Sequence, residues 1–400
     1  MYRFNISAPG TIFLHGDAVL GYQGRRIVAA VDKRIKLEFA SLPPKVVLEE
    51  HIRIAFMSLN LQLDIPLNAF FQHFYNQNGI RKFSRYNLIN KIKDFLGSLN
   101  IYDSSYDPSN TAQYLSLQAF LYLLLFMARK ENIEITASII VQISSDLAIG
   151  KGLGSSATFV TCLAACFWRW SLLQKGTVRY EFNTDDYEKI KYYAWKGEKI
   201  IYNNQNSTSL FVSVYGVVSI FKDNINAAAM DEMRPMKILL IDSNIDQKEK
   251  AEQMEKIFHL SLCVESIMTS IENITSTSSV AISEIYLKCL EILNNRNNRN
   301  DTNWSRLLPL DSYKRLSVFI NMNQGLLKTL GLSNRYVDII CATARKYSLG
   351  CKMTGTGGYV FILLLPNTKD EIIAKLKNEL ELYNFSIVET TISCEGVRIE

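Results

Sequence analysis

The apolar positions of this chain alternate with polar ones at strand spacing in some stretches and at helix spacing in others. Near the N-terminus, alternating runs predict strands over residues 4–7, 11–14 and 26–39, and Ala8-Pro9-Gly10 predicts a turn between the first two. A weaker strand pattern covers residues 45–48. The chain is therefore predicted to begin as a β-meander.

Longer stretches carry apolar residues at the three- and four-residue spacing of helices. These predicted helices cover residues 66–76, 84–96, 110–130, 157–173 and 185–201. The most apolar stretch, residues 115–128, has about fourteen residues, fewer than the ~20 that span a membrane. It is predicted to be a core helix, and no membrane association is expected. A strand over residues 133–144 precedes the helix that begins near residue 157.

The second half of the chain mixes both patterns again. Strands are predicted over residues 210–221, 236–242, 350–353, 359–365 and 385–393, and helices over residues 248–270, 279–293, 311–330, 334–347 and 370–383. The Asn-rich stretch 294–302 is predicted to be a mobile loop. Residues 224–235 read as a connection, so we predict two domains, 1–230 and 231–400, in an α+β protein.

Composition excludes several classes of protein. The chain has 400 residues with 48% hydrophobic content, typical of a globular protein. Its net charge of +5 is spread without long single-sign blocks, which argues against nucleic-acid binding. None of the seven cysteines forms a C-x-x-C pair, and Cys162 and Cys166 share a helix face as small buried hydrophobes. No secretory signal pattern is seen, so a cytoplasmic location is expected.

A glycine-rich loop, residues 149–156, lies between the predicted strand and the predicted helix. Glycines 150, 152 and 154 permit sharp turns, and the first N–H groups of the following helix suit a phosphate. Lys151 adds a cation, and the Ser155 and Ser156 hydroxyls could cap the helix or ligate Mg²⁺. Taken alone, a flexible surface turn explains the loop equally well, but the strand and helix on either side favour the phosphate site.

A second glycine turn, residues 354–358, follows the predicted strand 350–353. A tight hairpin is the more frequent explanation of Gly-Gly between two strands. Every position of the turn is Thr or Gly, however, and each could present a backbone N–H group to an anion. Both interpretations remain open at this point.

Three stretches occur in order: S-A-P-G-T-I-F-L-H-G-D from Ser7, G-K-G-L-G-S-S-A-T from Gly150, and K-M-T-G-T-G-G-Y from Lys352. Together they resemble the three motifs of the GHMP kinase family, whose members phosphorylate galactose, homoserine, mevalonate and phosphomevalonate. The stretch A-W-K-G-E from Ala194 and the chain length resemble the branch that acts on mevalonate. The resemblance implies a two-domain α+β fold with the active site in the cleft between an ATP-binding N-terminal domain and a C-terminal domain.

The resemblance also implies the cofactors ATP and Mg²⁺ and the residues that hold them. Ser156 and Glu198 match the positions that ligate Mg²⁺, although any one Glu is more often a solvated carboxylate. The residues implied at the ATP phosphates are Gly150, Lys151, Gly152, Leu153, Gly154, Ser155 and Ser156 of the loop, and Thr354, Gly355, Gly357 and Gly358 of the turn.

The chain departs from the family at its catalytic positions. Gap-free counting from both sides puts Ser209 where the family has an Asp that orients or deprotonates the substrate hydroxyl, and Thr11 stands at the family's lysine. Asp17 stands at the family's Glu and could supply a carboxylate near the phosphates. The substrate-facing positions of the second domain correspond to Gln247 and Glu249, beside Lys248 and Lys250.

Three hypotheses follow. The first is a kinase that phosphorylates mevalonate, or a related small anionic alcohol, to 5-phosphomevalonate in isoprenoid biosynthesis. The second is a paralogue that binds nucleotide without efficient turnover, because a serine cannot act as a base near neutral pH without a partner. The third is a structural α+β protein with accidental glycine turns. The family resemblance also makes a homodimer plausible.

Overall fold

The fold is taken from a computed structural model of the chain. The residues that it describes are 1–17, 24–43, 49–76, 79–80, 84–99, 105–201, 208–222, 225–244, 261–294, 307–355 and 357–400.

One large sheet runs through the described part of the chain. Its strands are β1 (Tyr2–His15), β2 (Arg26–Ser41), β3 (His51–Phe56), β4 (Leu61–Pro66), β7 (Ile139–Ser145), β8 (Val218–Lys222), β9 (Ile225–Ala229), β10 (Met236–Asp242), β11 (Gly350–Thr354), β12 (Tyr359–Leu363), β13 (Ile387–Ile392) and β14 (Arg398–Ile399). A small separate hairpin joins β5 (Tyr75–Asn76) and β6 (Gly79–Ile80).

The helices pack on both faces of this sheet. They are α1 (Leu67–Phe74), α2 (Arg85–Ser98), α3 (Thr111–Glu131), α4 (Ser155–Gln174), α5 (Thr184–Ile201), α6 (Thr208–Tyr215), α7 (Ser261–Asn294), α8 (Leu310–Thr329), α9 (Arg335–Lys346) and α10 (Asp370–Glu381). The mixture confirms the α+β class predicted from the sequence.

The sheet joins the two halves of the chain. Its main path is β11-β12-β10-β13-β2-β7-β3-β4, and β13 meets β2 through the pair Ile392 and Val31. Along β10, Ile238 and Leu240 belong to the large core cluster that contains the first half of the chain, whereas Leu239 belongs to a second cluster formed by the second half. Because successive side chains of a strand point to opposite faces, β10 contributes to both cores.

The C-terminal residues return to the first half of the sheet. Strand β14 pairs with β1, and the buried Arg34 guanidinium donates to the carbonyls of Glu395 (3.0 Å) and Gly396 (2.7 Å). The same guanidinium donates to the Ser7 hydroxyl at 2.7 Å and the Ser7 carbonyl at 3.2 Å. Arg34 therefore fixes the C-terminal segment to β1 through hydrogen bonds rather than a carboxylate.

Replacing Arg34 by methionine should lower the free energy of unfolding by roughly 2–3 kcal/mol, because it leaves buried carbonyls without their charged donor. Urea denaturation would measure the loss, and carboxypeptidase should then digest the C-terminal segment faster. Arg53→Met is the control, since it removes an exposed 3.0 Å pair with Asp64 and should cost less than about 1 kcal/mol. Equal losses of unfolding free energy from the two changes would contradict the inference that Arg34 fixes the C-terminal segment to β1.

Several predicted boundaries were wrong. The predicted turn at Ala8-Pro9-Gly10 is a register shift inside one continuous strand, β1, because proline lacks a backbone donor and Gly10 fits tightly against Leu147. Residues 210–215 form helix α6 rather than a strand. Their nearly continuous apolar run fits a buried strand or a buried helix equally well.

Other strands and helices differ in extent from the prediction. The predicted connection 224–235 contains β9, which pairs with β8. Predicted helices 248–270 and 279–293 merge over residues 261–294 into α7, in which the hydroxyls of Thr275 and Thr277 donate to carbonyls four residues back. Strands β3, β4 and β14 were missed. The predicted strand 45–48 and most of the predicted loop 294–302 lie outside the described residues.

Helices α3 and α4 pass a length and hydropathy test for membrane spans. Within the tested windows 67% and 89% of the residues are buried in the fold, so both are core helices, as predicted for residues 115–128. All seven cysteines are free thiols. Cys162 and Cys166 are buried, as predicted, and burial raises the pKa of both.

Candidate functional site

The glycine loop connects β7 to α4 and exposes the start of that helix. Gly154 is the N-cap residue in the left-handed region, with φ at 69°, and no side chain among the described residues caps the helix. Gly150 and Gly152 also have positive φ, at 76° and 88°. The first N–H groups of α4, with the positive end of its dipole, are therefore available to an anion.

Side-chain and backbone contacts hold the loop in place. The Gly150 N–H donates to the Ser155 hydroxyl at 3.3 Å, so Ser155 bridges the loop instead of capping the helix. Lys151 Nζ lies 2.5 Å from a carboxylate oxygen of Asp242, at the end of β10. Leu153 is buried, and its carbonyl accepts the Thr11 N–H at 2.9 Å. The loop is thus tied to β1 and to β10.

The second glycine turn packs directly on the glycine loop. It closes the antiparallel β11–β12 hairpin, so the hairpin interpretation is confirmed. A Cβ atom on Gly355 would lie 2.8 Å from the Gly152 carbonyl oxygen, and one on Gly358 would lie 2.7 Å from the Lys151 Cβ. Only glycine permits such an approach. Thr356 lies outside the described residues.

Two N–H groups of this turn are already used. Gly355 N–H donates to Asp17 Oδ1 at 2.9 Å, and Gly357 N–H donates to the Thr354 carbonyl at 2.9 Å. Thr354 Oγ1 accepts the Phe13 N–H at 2.8 Å. The expectation that every N–H group of the turn could face an anion is therefore wrong for Gly355 and Gly357, which fix the turn instead.

Asp17 and Lys352 form a buried ion pair beside this turn. Lys352 is 0% exposed and Asp17 is 4% exposed. Burial raises the pKa of Asp17 and lowers the pKa of Lys352, and the charge of each partner opposes the shift of the other. Lys352 lies in the third motif, but the sequence pattern predicted no role for it. Its signal was a lysine within an otherwise apolar, buried strand.

Thr11 and Ser209 meet at Gly154, although they are far apart in sequence. A Cβ on Gly154 would lie 2.3 Å from Thr11 Oγ1 and 3.6 Å from Ser209 Cβ. Thr11 is fully buried, and its hydroxyl has no hydrogen-bond partner among the described atoms. Thr11 and Ser209, the two catalytic positions predicted from the sequence, thus both lie next to the last glycine of the loop.

An apolar cavity of about 520 Å³ opens beside the start of α4. Phe56, Leu115, Phe159 and Ile201 line it together with Gly150, Ser155 and Ser156 of the loop and other residues of α3 and β7. No described residue of its walls carries a charged side chain. The cavity can accept a flat apolar group whose polar end reaches the loop.

Glu198 lies near the C-terminal end of α5, partly exposed. Burial raises the pKa of its carboxyl to about 7, and no hydrogen bond or ion pair to it is recorded within the described ranges. Those ranges contain no group of three His, Cys, Asp or Glu side chains that could hold a metal. Ser156 and Glu198 offer hard oxygen atoms, which suit Mg²⁺ when phosphate oxygens complete its coordination. Gln247, Glu249, Lys248 and Lys250 lie outside the described residues.

Comparisons with known proteins agree with this geometry. The sequence profile described as GHMP kinases C terminal matches residues 308–382. The mevalonate kinases of Mus musculus and Homo sapiens are each 25% identical to this chain, over 98% of it and 94% of their own length. A mevalonate kinase of Arabidopsis thaliana is 26% identical over 65% of this chain and 64% of its own length. These relatives support a phosphotransferase.

Solved structures show the same fold. Methanococcus jannaschii mevalonate kinase aligns with a TM-score of 0.65 at 18% identity, covering 100% of this chain and 99% of that one. L. major mevalonate kinase in complex with R-mevalonate aligns with a TM-score of 0.60 at 14% identity, covering 99% of this chain and 97% of that one. The chain thus has the fold of the solved mevalonate kinases, and its sequence is similar to GHMP kinases over residues 308–382 and to mevalonate kinases over almost its whole length.

Proposed function

We propose that the protein transfers a phosphoryl group from ATP to the hydroxyl of a small anionic alcohol, and that this alcohol is mevalonate. The product would be 5-phosphomevalonate, an intermediate of isoprenoid and sterol biosynthesis. The observation that carries the proposal is the glycine loop, uncapped at the start of α4 and covered by the Gly355–Gly358 turn beside an apolar cavity. Mevalonate is chosen because the full-length relatives are named for it.

The nucleotide would lie across the cavity and the loop. Its base would contact the apolar walls, and its phosphates would accept N–H groups at the start of α4. Mg²⁺, held by Ser156 and Glu198, would neutralise phosphate charge when bound. The first half, residues 1–230, would bind ATP, and the second half, residues 231–400, would close the site through its glycine turn.

Positioning would supply most of the catalysis. Phosphoryl transfer needs little covalent participation by the protein, since alignment and charge neutralisation lower most of the barrier. Lys151 is paired with Asp242, so its ammonium would have to leave that carboxylate, or share it, to contact a phosphate. Asp17 is paired with Lys352 and is buried, which favours a supporting role over proton transfer.

A nucleotide-binding protein without efficient turnover is the second candidate. It is favoured by one observation: Thr11 and Ser209, which border Gly154, carry no group that accepts a proton at neutral pH. We propose that these two residues stand where related kinases have a lysine and an aspartate. The nucleotide site would then persist while the proton chemistry is weakened.

Two measurements separate the candidates. A coupled ADP-release assay with mevalonate at high protein concentration tests turnover, and calorimetric titration with Mg-ATP tests binding. Binding with turnover supports the kinase, whereas binding without turnover supports the second candidate. Absence of both would refute nucleotide chemistry altogether. A cytoplasmic location and a homodimer complete the proposal, and sedimentation of the purified protein tests the dimer.

Replacing Glu198 by glutamine should remove the contribution of Mg²⁺ to ATP affinity and most of its pH dependence. In the metal-free protein the pKa of Glu198 is about 7, so the carboxyl is increasingly protonated as pH falls below that value. Because the metal and the proton compete, Mg-ATP affinity of the native protein should fall up to about tenfold per pH unit below pH 7. Titrations at pH 6 and 8 measure it. If the Mg-ATP affinity of Glu198→Gln depended equally on pH, the proposal that Glu198 binds Mg²⁺ would be contradicted.

The stability of the metal-free protein provides the control. A carboxyl whose pKa is raised by folding stabilises the native state at low pH, and this contribution is lost as pH rises through the folded pKa of about 7. Metal-free Glu198→Gln should therefore unfold at a higher temperature than the native protein at pH 8. A lower melting temperature would show that the native carboxylate has a stabilising partner.

A further inference from the structure

Hydrogen bonds that each use a side chain join the ends of β1 and β11, two strands that are not neighbours in the sheet. Lys352 Nζ pairs with Asp17 and also donates to the carbonyls of Phe13 (3.3 Å) and Met353 (2.7 Å). Phe13 N–H donates to Thr354 Oγ1 at 2.8 Å, and Gly355 N–H donates to Asp17 Oδ1 at 2.9 Å. All of these bonds except one link the first glycine-containing motif to the third. The exception, from Lys352 to the Met353 carbonyl, orients the Lys352 ammonium.

A buried ion pair is a costly way to hold two strands together. Removing both charges from water costs free energy that their attraction often fails to recover, and apolar residues of the same size are frequently at least as stabilising. Lys352 and Asp17 are almost completely buried, and the Phe361 ring lies 5.9 Å from the Lys352 ammonium. Fold stability is therefore a weak explanation for this pair. The alternative is that the pair positions the groups bonded to it.

The geometry that depends on the pair is the close packing of the two glycine segments. Asp17 holds Gly355, whose Cα faces the Gly152 carbonyl so closely that a Cβ would lie 2.8 Å from it. Three residues later, Gly358 lies equally close to Lys151. A displacement of the turn by one ångström would therefore disturb the glycine loop that leads to the start of α4, where the phosphates are proposed to bind.

We propose that Lys352 is a positioning residue for nucleotide binding: with Asp17 it forms a clasp that holds the Gly355–Gly358 turn at a fixed distance from the glycine loop. The inference rests on the proposed function, because the phosphates of Mg-ATP are the ligand whose site the clasp shapes. Lys352 does not contact the ligand. It acts through Asp17 and the Gly355 N–H group.

The test compares single and double replacements. Lys352→Met alone leaves a buried carboxylate without its cation and should destabilise the protein. Lys352→Met with Asp17→Asn removes both charges, keeps an acceptor for Gly355, and should recover much of the melting temperature. If the clasp positions the turn, the Kd of Mg-ATP for this folded double variant should still rise roughly 10- to 100-fold, the usual effect of losing a supporting residue behind a binding site.

The matched control removes a surface pair of the second half, Lys377→Met with Glu389→Gln, which are 2.9 Å apart in the native protein. Its Kd should stay within about twofold of the native value, as expected for an exposed pair. A folded Lys352→Met/Asp17→Asn variant with native Kd would overturn the proposal, because the pair would then serve stability only.

Hydrogen exchange of the native protein gives an independent measurement if the variants do not fold. The clasp predicts that the Phe13 and Gly355 amides are protected without nucleotide, although Gly355 lies in a turn. Exchange as fast as that of an exposed loop would overturn the clasp. Failure of the proposed function has a different signature, namely protected amides in a native protein that does not bind Mg-ATP.

Discussion

Replacing Gly154 by alanine should weaken Mg-ATP binding at least about tenfold and lower the free energy of unfolding by roughly 1–3 kcal/mol. The residue has φ at 69°, a conformation that strains any side chain. The new Cβ would also lie 2.3 Å from Thr11 Oγ1, and Thr11 is fully buried and hydrogen-bonded through its N–H to Leu153. The loop must therefore move away from β1. Calorimetric titration and urea denaturation measure the two effects.

Two further variants separate the effect of backbone strain at positive φ from the effect of the steric clash with Thr11. Gly176 has a similar φ of 76° at the end of α4, but no atom lies within 4 Å of its hypothetical Cβ. Gly176→Ala should lose stability without changing nucleotide affinity. Adding Thr11→Ala to Gly154→Ala removes the hydroxyl, and the nearest remaining atom is then the Cβ of residue 11 at 3.5 Å. This double variant should recover part of the affinity. Native affinity in Gly154→Ala itself would show that the loop does not bind the phosphates.

Introducing aspartate at position 209 together with lysine at position 11 should raise the turnover of mevalonate by about 10²- to 10⁴-fold. Both positions border Gly154, so the new carboxylate and ammonium would meet beside the proposed phosphates. Thr11→Lys alone buries a cation without a partner and should destabilise the protein. The melting temperature of the double variant should be higher than the value obtained by adding the effects of the two single changes. The coupled ADP-release assay and a thermal denaturation cycle provide the measurements.

The control adds the same two charges elsewhere. Val178 and Tyr180 are 67% and 86% exposed, so Val178→Lys with Tyr180→Asp should leave turnover and stability near native values. If the native protein already turns over mevalonate at about 1–100 s⁻¹, the rates usual for kinases, and the Thr11→Lys/Ser209→Asp variant is slower, the chain has another proton acceptor. That result would contradict the view that Thr11 and Ser209 limit the chemistry.

The sequence predicted most of the helices because their apolar periodicity spans many residues. Asn110, for example, begins α3 with a side chain that accepts the N–H groups of Ala112 and Gln113, a pattern readable from sequence. Short apolar runs were harder to assign to a strand or a helix. Residues 210–215, for example, fit a buried strand as well as a helix. The choice there depends on packing against α4 and β1, which no local pattern contains.

The candidate site shows the same division. Glycine spacing and the strand and helix on either side predicted a loop at residues 149–156, and the loop lies at the start of α4 as expected. The partners of its side chains could not be predicted. Lys151 bonds Asp242 from ninety-one positions away, and Ser155 bridges back to Gly150 instead of capping the helix. The long-range pairing of Lys151 depends on the tertiary structure, which brings Asp242 at the end of β10 next to the loop.

By itself, the sequence determined the α+β class, the three glycine-containing motifs and the resemblance to a kinase family, because these depend on residue types at fixed local spacing. Only the tertiary structure brought Thr11 and Ser209 together at Gly154, and only it paired Lys352 with Asp17. The physical reason is that burial and electrostatic pairing act between groups distant in the chain. The cost of burying Lys352 and Asp17 exists only once β1 and β11 enclose them.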